Sequence, residues 1–203
     1  QQFTNSLYKR NIVKIGIVDC GGANLNSIYY SLNRLGIDAV ISSSKKELEK
    51  TDGLILPGVG SAGVVMNYLN DKKLDNFIFN TNKMTLGICI GMHILFDYSE
   101  ENNTQCLGII SGQIKKFIST DLSIPQMGWN YIEGLNDYKD LSNYYYFANS
   151  FYSDNTSRAF GYSKYINKFT SIVQKDNYIG CQFHPEKSSL AGENFLKYFI
   201  SQI

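Results

Sequence analysis

The sequence lacks several features, and each absence narrows the class of protein. It has only two histidines, His93 and His184, so any mechanism that needs an imidazole must use one of them. No apolar run approaches the ~18 residues of a membrane-spanning helix. The first residues, QQFTNSLYKRN, contain no apolar core of the signal-peptide kind. We expect a polar lead-in over residues 1–11 and a single domain over residues 12–203.

Charge and cysteine spacing exclude further classes. The formal net charge is +1, so no overall field directs the chain to nucleic acid or to an anionic membrane. The cysteines Cys20, Cys89, Cys106 and Cys181 form no CxxC pair and no metal-type spacing. We therefore expect no metal, no cofactor and no disulfide, and a reducing cytoplasmic location.

The first half of the chain alternates strand and helix patterns, and no repeat or Pro/Ser linker interrupts it. The hydrophobic periodicity predicts strands over residues 13–19, 37–41, 53–56 and 85–88, and helices over residues 24–35, 45–50, 64–80 and 91–98. This alternating order predicts a mostly parallel, doubly wound sheet.

The second half has a different character. Short aromatic-rich segments predict strands over residues 109–117, 144–152, 160–165, 169–174 and 178–183. Residues 121–140 have a loop-like composition, and residues 190–201 form an amphipathic helix pattern. The predicted fold class is α/β, with a doubly wound, mostly parallel sheet and an antiparallel extension. In such sheets, functional sites lie outside the carboxyl ends of the strands.

The segment LGICIGM (86–92) has the form strand, Gly-x-Cys-x-Gly, helix. This is a nucleophile-elbow pattern with Cys89 in place of serine. The sharp turn crowds its surroundings, so Gly87 and Gly91 are needed two positions to either side. The helix N-terminus favours the thiolate, which is the nucleophilic form. The alternative is a buried structural cysteine beside packing glycines.

The segment QFHPEKS (182–188) follows a predicted strand. In an extended chain, His184 and Glu186 project to the same side, and Pro185 stiffens the link between them. A carboxylate on one imidazole nitrogen fixes the tautomer and leaves the other nitrogen free to act as a base. The alternative is a surface turn with a solvated His and Glu.

A glycine loop, PGVGSAG (57–63), separates a predicted strand from a helix. Backbone N–H groups of such a loop can point at a developing oxyanion. Gly58, Gly60 and Gly63 also satisfy G-x-G-x-x-G, the dinucleotide-binding pattern. That motif normally follows the first strand of its unit, whereas this one follows the third strand and a proline. The loop can also be an ordinary strand–helix turn.

In this order and at these separations, PGVG, GICIGM and QFHPEKS resemble a class I (triad-type) glutamine amidotransferase. The likeness covers nearly the whole chain from Val13. Within this class the chain is most similar to the glutaminases of imidazole glycerol phosphate synthase. The segments PQMGWN (125–130) and FANSFY (147–152) carry this finer resemblance. The resemblance implies that Cys89 attacks the side-chain amide of L-glutamine, that His184 transfers the proton and that Glu186 orients His184.

The resemblance also implies roles for residues around the triad. The implied oxyanion donors are the N–H groups of Val59, Gly60 and Ile90. The implied substrate-binding residues are Gly58, His93, Asn149, Ser150 and Phe151. Met127 and Trp129 are expected to face a partner, a (β/α)8-barrel synthase subunit that receives the ammonia. For Trp129, a place in the core is the alternative.

Three positions depart from the family pattern. His93 stands where a substrate-contacting glutamine is usual, and Gln126 and Asn149 stand where histidines are usual. These departures leave two alternatives open. One is a paralogue that supplies ammonia to an amidotransferase of surface-sugar biosynthesis. The other, of a different class, is an inactive glutaminase-like subunit with a binding or regulatory role.

Overall fold

The computed structural model describes residues 13–21, 25–58, 60–154 and 157–203. The expected lead-in over residues 1–11, the first residue of the helix expected at 24–35, and the implied oxyanion donor Val59 lie outside these residues. Within the described ranges, no helix combines the length and the apolar character that crossing a membrane requires.

The elements of the first half follow the predicted alternation. In chain order they are β1 (Lys14–Val18), α1 (Asn26–Arg34), β2 (Asp38–Ser42), α2 (Lys45–Leu48), β3 (Gly53–Leu56), α3 (Ala62–Asp71), α4 (Asp75–Asn80), β4 (Met84–Ile88), α5 (Ile90–His93), β5 (Phe96–Ser99) and β6 (Thr104–Gln105).

The second half consists mainly of strands. They are β7 (Ile110–Lys116), β8 (Gln126–Gly134), β9 (Asn143–Asn149), β10 (Phe151–Ser153), β11 (Ala159–Lys164), β12 (Lys168–Lys175) and β13 (Tyr178–Cys181), and α6 (Ser189–Ser201) follows them. Short 3-10 helices lie at Glu101–Asn103, Asn136–Leu141 and Pro185–Lys187.

The parallel part of the sheet has the order β2-β1-β3-β4-β13, and the fold class predicted from the sequence is confirmed. The strands β1, β3, β4 and β13 are apolar and buried almost throughout, as expected of strands covered on both faces. Because β3, β4 and β13 are parallel neighbours, their carboxyl ends meet at one edge of the sheet.

The antiparallel extension begins where β12 pairs with β13. From β12 the sheet continues through β10, β7, β5 and β6. A branch runs from β12 through β11 and β8 to β9. This branch brings β9 back over the carboxyl ends of the parallel strands, where the backbone N–H of His184 donates to the carbonyl of Tyr146 at 2.9 Å.

The loop predicted over residues 121–140 is wrong. Residues Gln126–Gly134 form β8, which pairs with β9 from Gln126 opposite Asn149 to Ile132 opposite Asn143. The glycines and amides of this segment have low strand propensity, but cross-strand pairing overrides such preferences. The candidate interface residues Met127 and Trp129 therefore lie on a paired strand.

Two predicted helices are shorter than the periodicity suggested. The helix expected over residues 64–80 is two helices, α3 and α4, because the backbone at Lys73 turns into the left-handed region at φ 56°. The helix expected over residues 91–98 ends at His93, and Phe96–Ser99 form β5 instead. A short apolar run fits both structures, and pairing with β7 selects the strand.

Candidate active site

Cys89 lies at the sharp turn between β4 and α5. Its backbone has φ 51° and ψ −106°, a conformation that residues other than glycine rarely adopt. Strain of this kind persists only where the surroundings enforce it, and it concentrates at functional sites. The turn places the sulfur at the carboxyl edge of the sheet, over the first turn of α5.

The two glycines that flank Cys89 are required by close backbone packing. A Cβ atom on Gly87 would lie 2.4 Å from the carbonyl oxygen of Gly91, and one on Gly91 would lie 2.0 Å from the carbonyl oxygen of Leu56. Neither backbone atom can move without displacing β3 or α5. The elbow pattern in the sequence therefore has a steric cause.

His184 and Glu186 form a buried pair beside Cys89. The Nδ1 atom of His184 lies 2.8 Å from Oε1 of Glu186, and the Cys89 sulfur is near enough to the imidazole to raise the pKa of His184. The link from His184 to Glu186 is not extended as the sequence suggested, because Pro185–Lys187 form a 3-10 helix. Since Nδ1 faces the carboxylate, Nε2 is left for the sulfur, and the three side chains form a line from acid to thiol.

The electrostatics of this line favour an imidazolium. Burial alone would lower the pKa of His184, but the Cys89 sulfur and the Glu186 carboxylate raise it from 6.5 to about 10. A pKa this high means that the imidazole holds a proton at neutral pH. The arrangement can therefore present a proton donor beside the Cys89 sulfur.

The glycine loop touches both reactive groups. A Cβ atom on Gly58 would lie 2.9 Å from Cβ of Cys89 and 2.9 Å from Cε1 of His184, so only glycine fits. Gly60 has φ +84°, which also favours glycine. Ile90 is the first residue of α5, where a backbone N–H has no acceptor within the helix. The oxyanion roles of Val59, Gly60 and Ile90 stay predictions.

His93 is buried beside Gln182, and the substrate contact implied for it stays a prediction. Its side chain is 1% exposed, and its Nε2 lies 2.8 Å from Oε1 of Gln182. The Nε2 atom of Gln182 in turn lies 3.7 Å from the Cys89 sulfur. His93 therefore reaches the thiol through Gln182.

Sequence reasoning did not select Gln182, although one signal was available. Strand register places Cys181 beside Ile88, so the next pair along the two parallel strands is Gln182 beside Cys89. The register of β3 likewise places Leu56 beside Gly87 and leads to Gly58 beside Cys89. The two strands on either side of β4 thus each bring one residue to the thiol that follows β4.

Two of the departures from the family pattern form one structural pair. Gln126 and Asn149 lie directly opposite each other in the β8–β9 pairing, and both are buried. Asn149 donates from Nδ2 to the carbonyl of Phe151 at 2.9 Å. The neighbouring carbonyl of Ala148 lies 4.0 Å from the Cys89 sulfur.

Ser150 and Phe151 continue the chain past this point into β10, where Phe151 pairs with Lys116. Both residues are half-buried. The substrate-binding roles implied for Asn149, Ser150 and Phe151, and for Gly58, stay predictions.

The unsatisfied buried polar atoms are concentrated at this site. Among the described residues, the buried side-chain atoms without a hydrogen-bond partner are His93 Nδ1, Gln126 Oε1, Asn149 Oδ1 and Glu186 Oε2. Burying such atoms lowers stability, so they generally have a functional reason. All four belong to the residues that surround Cys89 or to the β8–β9 strand ends beside it.

The outer face of the β8–β9 hairpin is aromatic and exposed. Met127 is 64% and Trp129 is 53% exposed, which excludes the core position considered for Trp129. Trp129 packs edge-on against Tyr146, whose ring lies 6.0 Å from the ammonium group of Lys187. This exposed aromatic surface adjoins Lys187, the residue that follows Glu186. A surface of this composition is typical of a protein interface.

The other cysteines are free thiols in unreactive surroundings. Burial raises the pKa of Cys20 to about 12 and that of Cys106 to about 12. Burial, and then Glu186 and Cys89, raise the pKa of Cys181 well above its ordinary value. In the part of the chain that the structure describes, His, Cys, Asp and Glu side chains form no group of three or more that could hold a metal ion.

Comparisons with known proteins agree with this geometry. The chain is 43% identical over 194 residues to "Imidazole glycerol phosphate synthase subunit HisH 2" of Campylobacter jejuni, and the match covers 94% of this chain and 100% of that protein. It is 37% identical over 194 residues to "Imidazole glycerol phosphate synthase subunit HisH" of Bacteroides fragilis, with 93% and 99% covered.

Solved structures show the same fold at low sequence identity. One described as "Crystal structure of glutamine amidotransferase" has a TM-score of 0.74 at 16% identity and covers 92% of this chain and 97% of that one. "Structure of PurLQS from Thermotoga maritima" has a TM-score of 0.69 at 16% identity, with 94% and 98% covered. The family described as "Glutamine amidotransferase class-I" matches residues 16–203. The chain therefore belongs to the class-I glutamine amidotransferase family.

Proposed function

We propose that this chain is the glutaminase subunit of an imidazole glycerol phosphate synthase. It hydrolyses L-glutamine to glutamate and passes the ammonia to a (β/α)8-barrel cyclase, which forms imidazole glycerol phosphate and AICAR in histidine biosynthesis. The observation that carries the proposal is the buried line from Glu186 through His184 to Cys89, with Nδ1 of His184 2.8 Å from Glu186 Oε1. Relatives named as HisH over almost the whole chain support the pathway.

In the proposed reaction the Cys89 sulfur attacks the side-chain carbonyl carbon of glutamine. The proton held by His184 passes to the departing nitrogen, so that ammonia leaves and a glutamyl thioester remains. Water then attacks the thioester, His184 takes its proton, and glutamate is released. Glu186 keeps the imidazole in the orientation that allows both transfers.

The negative charge that develops on the carbonyl oxygen needs nearby donors. We assign this role to the N–H groups of Ile90 and of the glycine loop at Val59 and Gly60, with Gly58 giving the space beside the thiol. One such donor typically lowers the barrier by ~3 kcal/mol. We place residues 12–203 in one domain and the reaction in the cytoplasm, where thiols remain reduced.

Ammonia becomes protonated in water and then loses its nucleophilicity, so the acceptor must be reached without exposure to solvent. We propose that the cyclase docks on the exposed hairpin face that includes Met127 and Trp129. Trp129 supplies a large apolar area of the kind that often anchors an interface. The limited exposure of Cys89 and His184, 5% each, fits a site that becomes fully competent with its partner.

A second candidate is a paralogue that feeds an amidotransferase of surface-sugar biosynthesis. The observation that favours it is the joint replacement at Gln126 and Asn149, which are cross-strand partners beside the thiol. A different acceptor would be expected to alter this region and to leave Cys89, His184 and Glu186 intact.

The test is a comparison of nitrogen sources in the complex purified with its native partner. Cys89→Ala is expected to abolish glutamine-dependent synthesis and to preserve synthesis from added ammonia. Cys106→Ala, a change away from the thiol site, is the control and should preserve both. Glutamine-dependent turnover by Cys89→Ala would refute the proposal, and a wild-type complex that never hydrolyses glutamine would favour an inactive subunit. A sugar-modifying partner in place of a barrel cyclase would select the second candidate.

A further inference from the structure

A second line of polar side chains reaches Cys89, in addition to the line through His184. It consists of His93 in α5 and Gln182 directly after β13. It runs from Nε2 of His93 to Oε1 of Gln182 at 2.8 Å, and from Nε2 of Gln182 to the Cys89 sulfur at 3.7 Å. His93 is 1% exposed and Gln182 is fully buried. His93 is also tied to the elbow, because its backbone N–H donates to the carbonyl of Cys89 at 3.0 Å.

The chemistry of this line determines which atom donates. An amide oxygen only accepts hydrogen bonds, so the hydrogen between His93 and Gln182 must be on Nε2 of the imidazole. Burial lowers the pKa of His93 to about 4, against a smaller opposing effect of the Gln182 hydrogen bond, and the ring is therefore neutral at neutral pH. A neutral Nε2–H tautomer leaves Nδ1 as an unpaired acceptor, which agrees with the lack of a partner for Nδ1 among the described residues.

We propose that His93 is a positioning residue that holds the side-chain amide of Gln182 in one orientation, with its NH2 group directed at the Cys89 sulfur. Without the His93 donor, the Gln182 amide could rotate and present its oxygen to an anionic sulfur, which would repel it. With the donor, the thiolate is hydrogen-bonded by Gln182, in addition to its electrostatic interaction with the His184 imidazole. The inference rests on the proposed role of Cys89 as nucleophile.

Two other roles for His93 make different predictions. If His93 only filled space, an apolar residue of similar size would serve equally well. Such a residue would also leave no unpaired nitrogen buried. A histidine that binds the substrate directly would affect the apparent affinity for glutamine rather than the reactivity of the thiol. These differences make the proposal testable on the full chain.

The experiment measures alkylation of Cys89 by iodoacetamide at pH 7, with the modified peptide quantified by mass spectrometry, together with kcat and KM for glutamine hydrolysis. His93→Leu is expected to slow alkylation and to reduce kcat on the order of tenfold with KM little changed, as for the loss of one hydrogen bond to a charged group. His93→Gln keeps an N–H donor for Gln182 and should restore most of both rates.

Gln182→Leu is the second variant and should reproduce the loss seen in His93→Leu. Because both changes remove the same contact to the sulfur, the double variant should lose no more than either single one. Thermal unfolding identifies any variant that fails to fold, and the remaining single variant then decides the result.

Each of three outcomes would overturn the inference. The first is alkylation of His93→Leu or Gln182→Leu at the wild-type rate. The second is a rise in KM, with no other change, in His93→Leu. The third is a loss of rate in the double variant equal to the sum of the two single losses. A different result would refute the proposed function itself: a wild-type Cys89 that reacts no faster than the buried Cys181. The two failures are therefore distinguishable in one set of measurements.

Discussion

Gln126 and Asn149 lie directly opposite each other at the end of the β8–β9 hairpin, and each has a buried carbonyl oxygen with no hydrogen-bond partner among the described residues. Side chains that are directly opposite in an antiparallel pair project to the same face and have Cβ atoms about 5 Å apart. The two departures from the family pattern are therefore neighbours in space, although 23 positions separate them in the numbering of the chain.

Replacing Gln126 with leucine should stabilise the chain while weakening its function. Gln126→Leu removes an unsatisfied buried oxygen and is expected to raise the free energy of unfolding by about 1 kcal/mol. Asn149→Leu also loses the bond to Phe151 and should be less stable than Gln126→Leu by about 1 kcal/mol. Urea unfolding measures both, and glutamine-dependent synthesis by the complex should fall in each. A destabilised Gln126→Leu variant with full synthesis would contradict this expectation.

The four cysteines should differ sharply in reactivity toward an alkylating reagent. Cys89 has the His184 imidazole beside it, whereas burial raises the pKa of Cys20 and of Cys106 to about 12 each. At pH 7 the thiolate fraction of Cys20 and Cys106 is therefore very small. Mass spectrometry after brief treatment should find Cys89 as the main labelled site. The half-buried Cys106 is the internal control for access, and its labelling at the rate of Cys89 would show that exposure rather than activation governs the reaction.

Acid should destabilise the wild-type chain through His93. The folded-state pKa of His93, about 4, lies below its ordinary value of 6.5, so the unfolded chain binds a proton in this interval and the folded chain does not. The stability contribution is thus present above pH 6.5 and is lost as the pH falls toward 4, by up to about 3 kcal/mol. His93→Gln lacks this titration. The free energy of unfolding of the wild type minus that of His93→Gln should fall between pH 7 and pH 4, and a difference that does not change with pH would contradict the assignment.

The buried pair at His184 should act in the opposite pH range. Its folded-state pKa is raised to about 10, so its contribution is complete below pH 6.5 and declines as the pH rises toward 10. Since this histidine is present in both proteins of the His93 comparison, its effect cancels there. Glu186→Gln would remove one source of the raised pKa and should make the alkaline decline smaller.

Trp129 should contribute to partner binding and little to folding. Trp129→Ala removes an exposed aromatic side chain from the hairpin, and a central interface anchor of this kind typically contributes about 2 kcal/mol, or roughly 30-fold in Kd. We expect glutaminase activity to be weak in the isolated chain and higher with the partner. The Trp129→Ala variant should need correspondingly more partner than the wild type for the same stimulation. Phe79→Ala is the matched control, since Phe79 is 51% exposed against 53% for Trp129. Equal effects of the two variants would exclude the hairpin as the docking face.

The parts of the fold that sequence could predict are those governed by local periodicity. The predicted strand over residues 53–56 agrees with Gly53–Leu56, and the predicted helix over residues 190–201 differs from Ser189–Ser201 by one residue. Each has an unambiguous pattern and a clear boundary residue. The predictions for residues 91–98 and 121–140 were wrong because the structure of each segment depends on pairing with a strand outside it, β7 or β9.

Sequence alone determined the local chemistry. A thiol lies between two positions that only glycine can occupy, and an acid follows a histidine by two residues. Only the tertiary structure decided which of these groups touch. The order β3-β4-β13 places Gly58, Cys89 and Gln182 side by side, and the returning hairpin covers them with β9. No local pattern encodes that order, because it arises from burying the apolar faces of strands about a hundred residues apart in one sheet. The contacts from His93 to Gln182 and from Gln126 to Asn149 exist for the same reason.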